Sequence, residues 1–167
     1  MVSILELQNK MYGEGRNVED YFIDLATRDG YKCIISNNYQ DRYEHWDVKL
    51  IKDGKEALID VKGFKKSHKD GFTWIEFQTV DGRDGWINGK AHAIAFEKED
   101  RFDLIHRLNL KEFIEKKIVN PTGYVYLKPD NLGEIAYHRY KRMGRQDIIV
   151  VVPFIDIDNF IMTTIFK

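Results

Sequence analysis

Apolar residues recur with the period of an α-helix in two segments of the chain. In the first, they follow the i, i+3, i+4, i+7, i+8 spacing over residues 18–26, with Asn17 in the N-cap position and Gly30 beyond the end. In the second, at about residues 110–118, Asn109 is the expected N-cap. The pattern therefore predicts two amphipathic helices, far apart in the sequence.

Between and after these helices the period of the pattern changes to two, which is typical of β-strands. Eight segments show it, at residues 31–36, 45–52, 56–62, 72–80, 91–97, 123–127, 148–152 and 160–166. The order of a helix, a group of strands, a second helix and more strands predicts an α/β protein. We expect an α+β sandwich in which helices pack on a mixed β-sheet.

The composition is that of a single globular domain. The chain has 167 residues, of which 43% are apolar, and its 26 basic and 27 acidic residues give a net charge of −1. We expect one domain over residues 1–167, with a core at about 17–118 and a β-rich C-terminal extension at about 119–167. The single Cys33 excludes an internal disulfide and a cysteine-rich zinc site. The pattern contains no signal peptide or membrane span, which predicts a cytoplasmic protein with no membrane partner.

The charge is distributed unevenly. Residues 49–69 carry seven Lys against three acids, and residues 137–145 carry four basic residues and no acid, whereas residues 1–30 have six acids and three bases. Basic segments beside an acidic pocket suit a phosphate-rich ligand at a metal site. Two solvated faces on an ordinary domain would explain the charge equally well.

The most informative segment is a predicted β-hairpin within residues 45–66. Asp53-Gly54 favours a type I′ turn, because glycine readily adopts the positive φ that this turn needs. A two-residue loop pairs Lys52 with Lys55. The same register collects apolar residues on one face, which we expect to be the core side: Trp46, Val48, Leu50, Ala57, Ile59 and Val61.

Acidic residues meet on the other face of this hairpin. The register places Asp47 opposite Asp60, with Lys62 next to Asp60. Directly opposed like charges are destabilising unless something compensates them, and a divalent cation would do so. Glu19 borders the buried stripe of the first helix and is a candidate third ligand. Its alternative role is that of a first-turn acid favoured by the helix dipole.

This arrangement resembles the signature of the PD-(D/E)XK nuclease superfamily. Asp47, the hairpin and Asp60-Val61-Lys62 match that signature, and Glu19 matches the acid that the family's first helix often supplies, although no proline precedes Asp47. The resemblance implies a restriction endonuclease-like or Holliday junction resolvase-like fold. It also implies metal-dependent hydrolysis of DNA phosphodiester bonds, with Mg²⁺ or Mn²⁺ held by Asp47, Asp60, the Val61 carbonyl and Glu19. Lys62 would act on the attacking water or on the phosphate charge.

The resemblance extends to partners. It implies DNA, including branched or junction DNA, as the substrate, a homodimer where two cuts are needed, and the host cytoplasm as location if a phage encodes the chain. The alternative function is a catalytically inactive module that binds nucleic acid or protein on a nuclease-like scaffold. In that case Asp47 and Asp60 would be exposed and ion-paired with lysines.

Several other residues are candidates for supporting roles. Gln78 and Glu76 alternate onto one face of the next strand, near the metal site or simply facing solvent. His45 is either a neighbour of the motif lysine or an ordinary surface histidine. The glycine-rich loop containing Trp86 is predicted to pack an aromatic anchor near the cleft. The candidate contacts to DNA phosphates, which could equally form solvated faces, are Lys65, Lys66, Lys69, Arg139, Lys141, Arg142 and Arg145.

Overall fold

The computed structural model describes residues 18–64, 71–127 and 135–167. Its helices are α1 (Val18–Arg28), α2 (Arg107–Lys117) and α3 (Phe154–Ile157). Its strands are β1 (Lys32–Ile35), β2 (Val48–Lys52), β3 (Lys55–Lys62), β4 (Phe72–Gln78), β5 (Ala93–Glu97), β6 (Arg101–His106), β7 (Val125–Leu127), β8 (Arg139–Arg142), β9 (Ile148–Pro153) and β10 (Ile161–Phe166). No helix within these ranges is long and apolar enough to cross a membrane.

The strands form two mixed sheets, in the orders β1-β2-β3-β5-β6-β10 and β4-β9-β8-β7. Parallel pairing joins β3 to β5 in the first sheet and β7 to β8 in the second, while the neighbouring pairs are antiparallel. The predicted α+β class with mixed strands is therefore confirmed, although the pattern predicted one sheet rather than two. Strands after residue 119 belong to both sheets, because β9 pairs with β4 and β10 pairs with β6.

Helix α1 covers one face of the six-stranded sheet. Its buried residues are Tyr21, Phe22, Leu25 and Ala26, as the helical spacing predicts. The ring of Phe22 meets that of Phe102 edge to face, with centroids 5.2 Å apart. This first core also contains sheet residues, which are Val48, Leu50, Ile59, Val61, Ala93, Ala95, Phe102, Leu104 and Ile165.

A second core lies on the opposite face of the same sheet. There β5 and β6 pack against the four-stranded sheet and α2, and the buried residues include Trp46, Ile75, Trp86, Ile94, Phe96, Ile105, Leu110, Ile114, Val150 and Val152. Side chains of successive strand residues point to opposite faces, so β5 supplies Ala93 and Ala95 to one core and Ile94 and Phe96 to the other. The first sheet is thus the middle layer of the fold.

All eight predicted strands are present, with ends that differ by a few residues, but two strands were missed. Strand β6 contains Asp103, which is 1% exposed and paired with Arg101 at 2.9 Å. A buried acid in the middle of a short apolar segment hides the alternation of its neighbours. Strand β8 has the sequence RYKR, a basic segment for which only a surface role was predicted.

Helix α2 begins three residues before its predicted start. The ring of His106, rather than Asn109, is the N-cap, and its Nδ1 accepts a hydrogen bond from the Asn109 N–H at 3.2 Å. Arg107 is buried, and its guanidinium donates to the carbonyls of Ala91 and Ile87, the latter at 2.8 Å. The Ile87 carbonyl lies in the glycine-rich loop, residues 82–90, and Ala91 directly follows that loop, so Arg107 fastens the loop to α2.

The glycine-rich loop also packs closely on β4. Gly85 donates its N–H to the Phe77 carbonyl at 2.9 Å, and a Cβ at Gly85 would collide with the Glu76 carbonyl oxygen. We expect Gly85→Ala to lower the free energy of unfolding by about 1–3 kcal/mol, because the loop must move off β4. Gly123→Ala is the matched control, since a Cβ there meets nothing within 4 Å. Equal urea-unfolding free energies for the two variants would contradict this packing.

Candidate active site

The β2–β3 hairpin has the predicted register over most of its length. Lys52 pairs with Lys55, Leu50 with Ala57 and Val48 with Ile59. The turn residues Asp53 and Gly54 have φ values of 51° and 72°, as a type I′ turn requires. The dipeptide at the turn therefore predicted the pairing correctly as far as Val48.

The pairing changes at Asp47, where the structure departs from the prediction. The Asp47 N–H donates at 2.8 Å to the carbonyl of Ile59, the residue that Val48 already faces. Two residues opposite one is the pattern of a β-bulge. An extra residue in a strand turns the side chains before it to the opposite face of the sheet. Trp46 therefore lies in the second core and not beside Val48. The predicted face of Trp46 was wrong for this reason.

The bulge brings two carboxyl groups together. Asp47 Oδ2 accepts a hydrogen bond from the Val61 N–H at 2.6 Å, which places its side chain on β3 next to Asp60. Asp47 and Asp60 are only 8% and 3% exposed. Lys62 Nζ donates to Asp60 Oδ1 at 2.8 Å, and Asp60 Oδ2 is buried with no hydrogen-bond partner in the described ranges. The structure thus joins Asp47, Asp60 and Lys62.

Burial and neighbouring charges shift the pKa of all three groups. Burial, followed by the charge of Asp60, raises the pKa of Asp47 to about 7. Burial also raises the pKa of Asp60, although the ammonium of Lys62 opposes this effect. Burial alone would lower the pKa of Lys62, but the charges of Asp60, Asp47 and Glu76 outweigh it and raise that pKa. At neutral pH the lysine is charged, and Asp47 is close to the midpoint of its titration.

Trp86 borders this group. It is 7% exposed in a short 3₁₀ turn, Trp86–Asn88, and its ring centroid lies 5.1 Å from Lys62 Nζ. The glycine-rich loop therefore packs its aromatic residue beside the motif, as predicted. A cation against a buried indole ring is favourable, so Trp86 restricts where the ammonium can lie.

Glu19 occupies the first turn of α1 and is half-buried. That turn lies near the end of β3, since a Cβ at Gly63 would be 3.4 Å from Val18 Cγ1. Within the described ranges, however, no three His, Cys, Asp or Glu side chains are grouped so that they could hold a metal ion. Glu19 is therefore not brought into one ligand set with Asp47 and Asp60.

Glu76 and Gln78 do not share a regular strand face. A β-bulge lies between them, because Glu76 pairs with Ile149 and Gln78 with the adjacent Ile148. The Gln78 side chain donates to the Gln146 carbonyl at 2.6 Å and so fastens a neighbouring loop. Glu76, in contrast, is close enough to the motif lysine for its charge to raise the pKa of that lysine.

Asp41 is a neighbour of the acid pair that the sequence analysis missed. It lies in a five-residue π-helical turn, Gln40–Glu44, and its charge contributes to the raised pKa of Asp60. His45 follows this turn with φ of 55°, outside the hairpin ladder, and its Nε2 donates to the Asp84 carbonyl at 2.8 Å. The only signal for Asp41 was the acid itself, since its position depends on an irregular turn.

The candidate phosphate-binding residues are placed only in part. Those on the loop after the motif lie outside the described residues: Lys65, Lys66 and Lys69. Arg139, Lys141 and Arg142 lie on β8 and Arg145 follows it, with β9 between β8 and β4. Two of these side chains have structural partners, because Arg142 pairs with buried Asp147 at 2.5 Å and Arg139 donates to a backbone carbonyl at 2.6 Å. Their contact with DNA stays a prediction.

Comparison of the chain with protein-family models, with curated proteins and with solved structures finds no match in any of the three. The function is therefore inferred from the residues of this chain and their geometry.

The raised pKa of Asp47 gives a pH dependence of stability. The folded protein keeps a proton up to about pH 7, whereas the unfolded chain loses it near the ordinary value of 3.8. Between these values the folded state binds more protons, so the free energy of unfolding falls as pH rises, by at most ~1.4 kcal/mol per pH unit. Urea unfolding from about pH 5 to 8 without divalent cations measures this. We expect a flatter profile for Asp47→Asn, and identical slopes for the two proteins would contradict the assignment.

Proposed function

We propose that the protein is a metal-dependent endonuclease of the PD-(D/E)XK type, which hydrolyses DNA phosphodiester bonds. One observation carries the proposal: two buried carboxyl groups, Asp47 and Asp60, meet at the end of a hairpin, with Lys62 Nζ 2.8 Å from Asp60. Burying two like charges side by side is costly and needs a compensating function or ion. Two acids and a lysine are the groups that this chemistry uses.

The donor set fits Mg²⁺ or Mn²⁺. Both are hard cations that prefer carboxylate oxygens, and Mg²⁺ in phosphoryl-transfer sites is often held by one or two carboxylates, with water and substrate phosphate completing the shell. Three buried carboxylate oxygens have no partner in the described ranges, and they belong to Asp60, Asp103 and Asp147. Among these three, Asp60 is the one with a second carboxyl group, that of Asp47, beside it, so a cation there would remove a desolvation cost. Asp47 and Asp60 would hold the ion, with the Val61 carbonyl as a further candidate ligand.

The residues around the ion have distinct roles in the proposed reaction. A bound divalent ion supplies charge neutralisation at the scissile phosphate and makes a bound water more acidic. The raised pKa of Lys62 keeps its ammonium charged at neutral pH. Lys62 would therefore meet the phosphate as a cation that neutralises and positions it, and its hydrogen bond to Asp60 holds it at the site. Trp86 and Asp60 fix the ammonium in place.

The arrangement of elements supports a restriction endonuclease-like fold. Helix α1 precedes the antiparallel meander β1-β2-β3, and the acids lie on its last two strands or directly before them. The family core continues with a helix and a further strand, whereas this chain inserts β4 and a 3₁₀ turn before β5 pairs in parallel with β3. The C-terminal strands are then additions to that core.

The alternative, a binding module without catalysis, assumed that Asp47 and Asp60 form exposed ion pairs. Both side chains are buried, so surface ion pairing does not explain them. An inactive protein with a buried acid pair is distinguished from the nuclease by the two experiments that follow.

The first experiment measures cleavage. Supercoiled plasmid, linear duplex, single strand, flap and four-way junction are incubated with Mg²⁺ or Mn²⁺, or with EDTA. We expect Asp60→Asn and Lys62→Ala to reduce metal-dependent cleavage by roughly 10²-fold or more, because each removes charge stabilisation at the phosphate. Asp103→Asn, at a buried acid paired with Arg101, is the control that keeps activity. Cleavage by Asp60→Asn at the wild-type rate would refute the assignment.

The second experiment measures metal binding by thermal stability. We expect Mg²⁺ or Mn²⁺ to raise the Tm with saturation, because an ion that binds only the folded state stabilises it. The increase should be larger at about pH 8 than at about pH 6, since a proton competes with the ion at Asp47, whose pKa is about 7. Asp47→Asn should lose the effect and Asp103→Asn should keep it. No increase together with no cleavage would favour the binding module.

A further inference from the structure

An exposed aromatic pair lies directly before the acid pair in the chain. Tyr39 and Tyr43 are 64% and 50% exposed, and their ring centroids are 5.1 Å apart with 34° between the planes. They are one turn apart on the π-helical segment Gln40–Glu44 and its N-cap, and π-helical turns are frequent at functional sites. Two large rings side by side in solvent offer an exposed apolar surface that a flat ligand can cover.

Two arginine side chains border this aromatic surface, and Asp81 balances the charge of one of them, Arg83. The guanidinium of Arg83 lies 4.9 Å and that of Arg42 lies 5.6 Å from the ring centroid of Tyr43. Arg83 also donates to the Arg42 carbonyl at 3.1 Å and pairs with Asp81 at 2.9 Å, which fixes its position. We call the four residues Tyr39, Arg42, Tyr43 and Arg83 the tyrosine platform.

The backbone beneath the platform is held at both ends. Asn37 and Gln40 exchange two hydrogen bonds of 2.9 Å between side chain and backbone. At the other end, the Lys90 N–H donates to the Glu44 carbonyl at 2.7 Å, and the Lys90 ammonium pairs with the Glu44 carboxylate at 2.7 Å. Rings that are exposed on a fixed backbone lose little conformational entropy when a ligand binds, which favours a binding surface.

The platform adjoins the proposed active site. The same π-helical turn carries Asp41, whose charge acts on Asp60, and Asp47 follows the turn by three residues. The platform therefore lies on the chain segment that leads into the acid pair.

We propose that the tyrosine platform stacks an unpaired DNA base, so that the substrate class is single-stranded or locally unpaired DNA. This inference rests on the proposed function and specifies its substrate. Aromatic rings with neighbouring arginines stack bases without sequence preference. The faces of a base inside a duplex are already covered by its neighbours, so the platform selects bases that are out of the stack.

The test measures binding without cleavage, by fluorescence anisotropy in EDTA. The probes are a labelled thymidine oligomer and an abasic oligomer of the same length. We expect Tyr43→Ala to weaken binding of the thymidine oligomer about ten-fold and to change binding of the abasic oligomer little, because the lost contact is with the base. Tyr43→Phe, which keeps the ring, should bind as wild type does.

Tyr126→Ala is the matched control. Tyr124 and Tyr126 form a second exposed pair, with centroids 5.2 Å apart, and lie directly before and within β7 of the other sheet. Unchanged binding by Tyr43→Ala, an equal loss on both oligomers, or a loss in Tyr126→Ala instead would overturn the inference. Because no metal is present, failure of the platform is separate from failure of the nuclease assignment, which the Asp60→Asn cleavage assay decides. Thermal unfolding checks that each variant is folded.

Discussion

The candidate site depends on one hydrogen bond, from the Val61 N–H to the Asp47 carboxylate at 2.6 Å. The Asp47 N–H donates to the Ile59 carbonyl at 2.8 Å. The backbone pairing of β2 with β3 stops there, and the next contact to β3 is made by the Asp47 side chain, which accepts from the Val61 N–H. The extra residue turns Trp46 towards the second core and leaves the Asp47 carboxyl next to Asp60. A β-bulge is a common means of redirecting a side chain beside a functional site. Here the hydrogen bond to Val61 keeps the Asp47 carboxyl beside Asp60, where the regular register would also have placed it.

The charge balance of this pair explains why a cation is a reasonable occupant. Lys62 neutralises Asp60, and the pKa of Asp47, at about 7, means that a proton is the default neutraliser of the second acid at neutral pH. A divalent ion in place of that proton would leave the three side chains and the ion with one net positive charge. Such a site attracts a phosphate, and metal occupancy and phosphate affinity would rise together with pH.

Local signals predicted the parts of the fold that local chemistry determines. The Asp53-Gly54 turn sets the hairpin register, and the helical spacing identifies the buried side of α1, because both depend on residues close in sequence. The bulge at Asp47 could not be predicted, since it depends on the packing of Trp46 in a core formed by distant strands. Likewise, the strand containing Asp103 is recognisable only when Arg101 is known to neutralise that acid.

The site also shows why a motif of a few residues needs the whole fold. Val61 packs under α1 in the first core, so Asp60 and Lys62, its neighbours on β3, project from the opposite face towards the second sheet. There Trp86 meets the ammonium, on a loop that Arg107 fastens to α2. Asp47, Asp60 and Lys62 therefore belong to the six-stranded sheet or directly precede one of its strands. Trp86, which restricts the ammonium of Lys62, comes from the loop that packs against that sheet. The position of Lys62 therefore depends on the packing between the layers as well as on its hydrogen bond to Asp60.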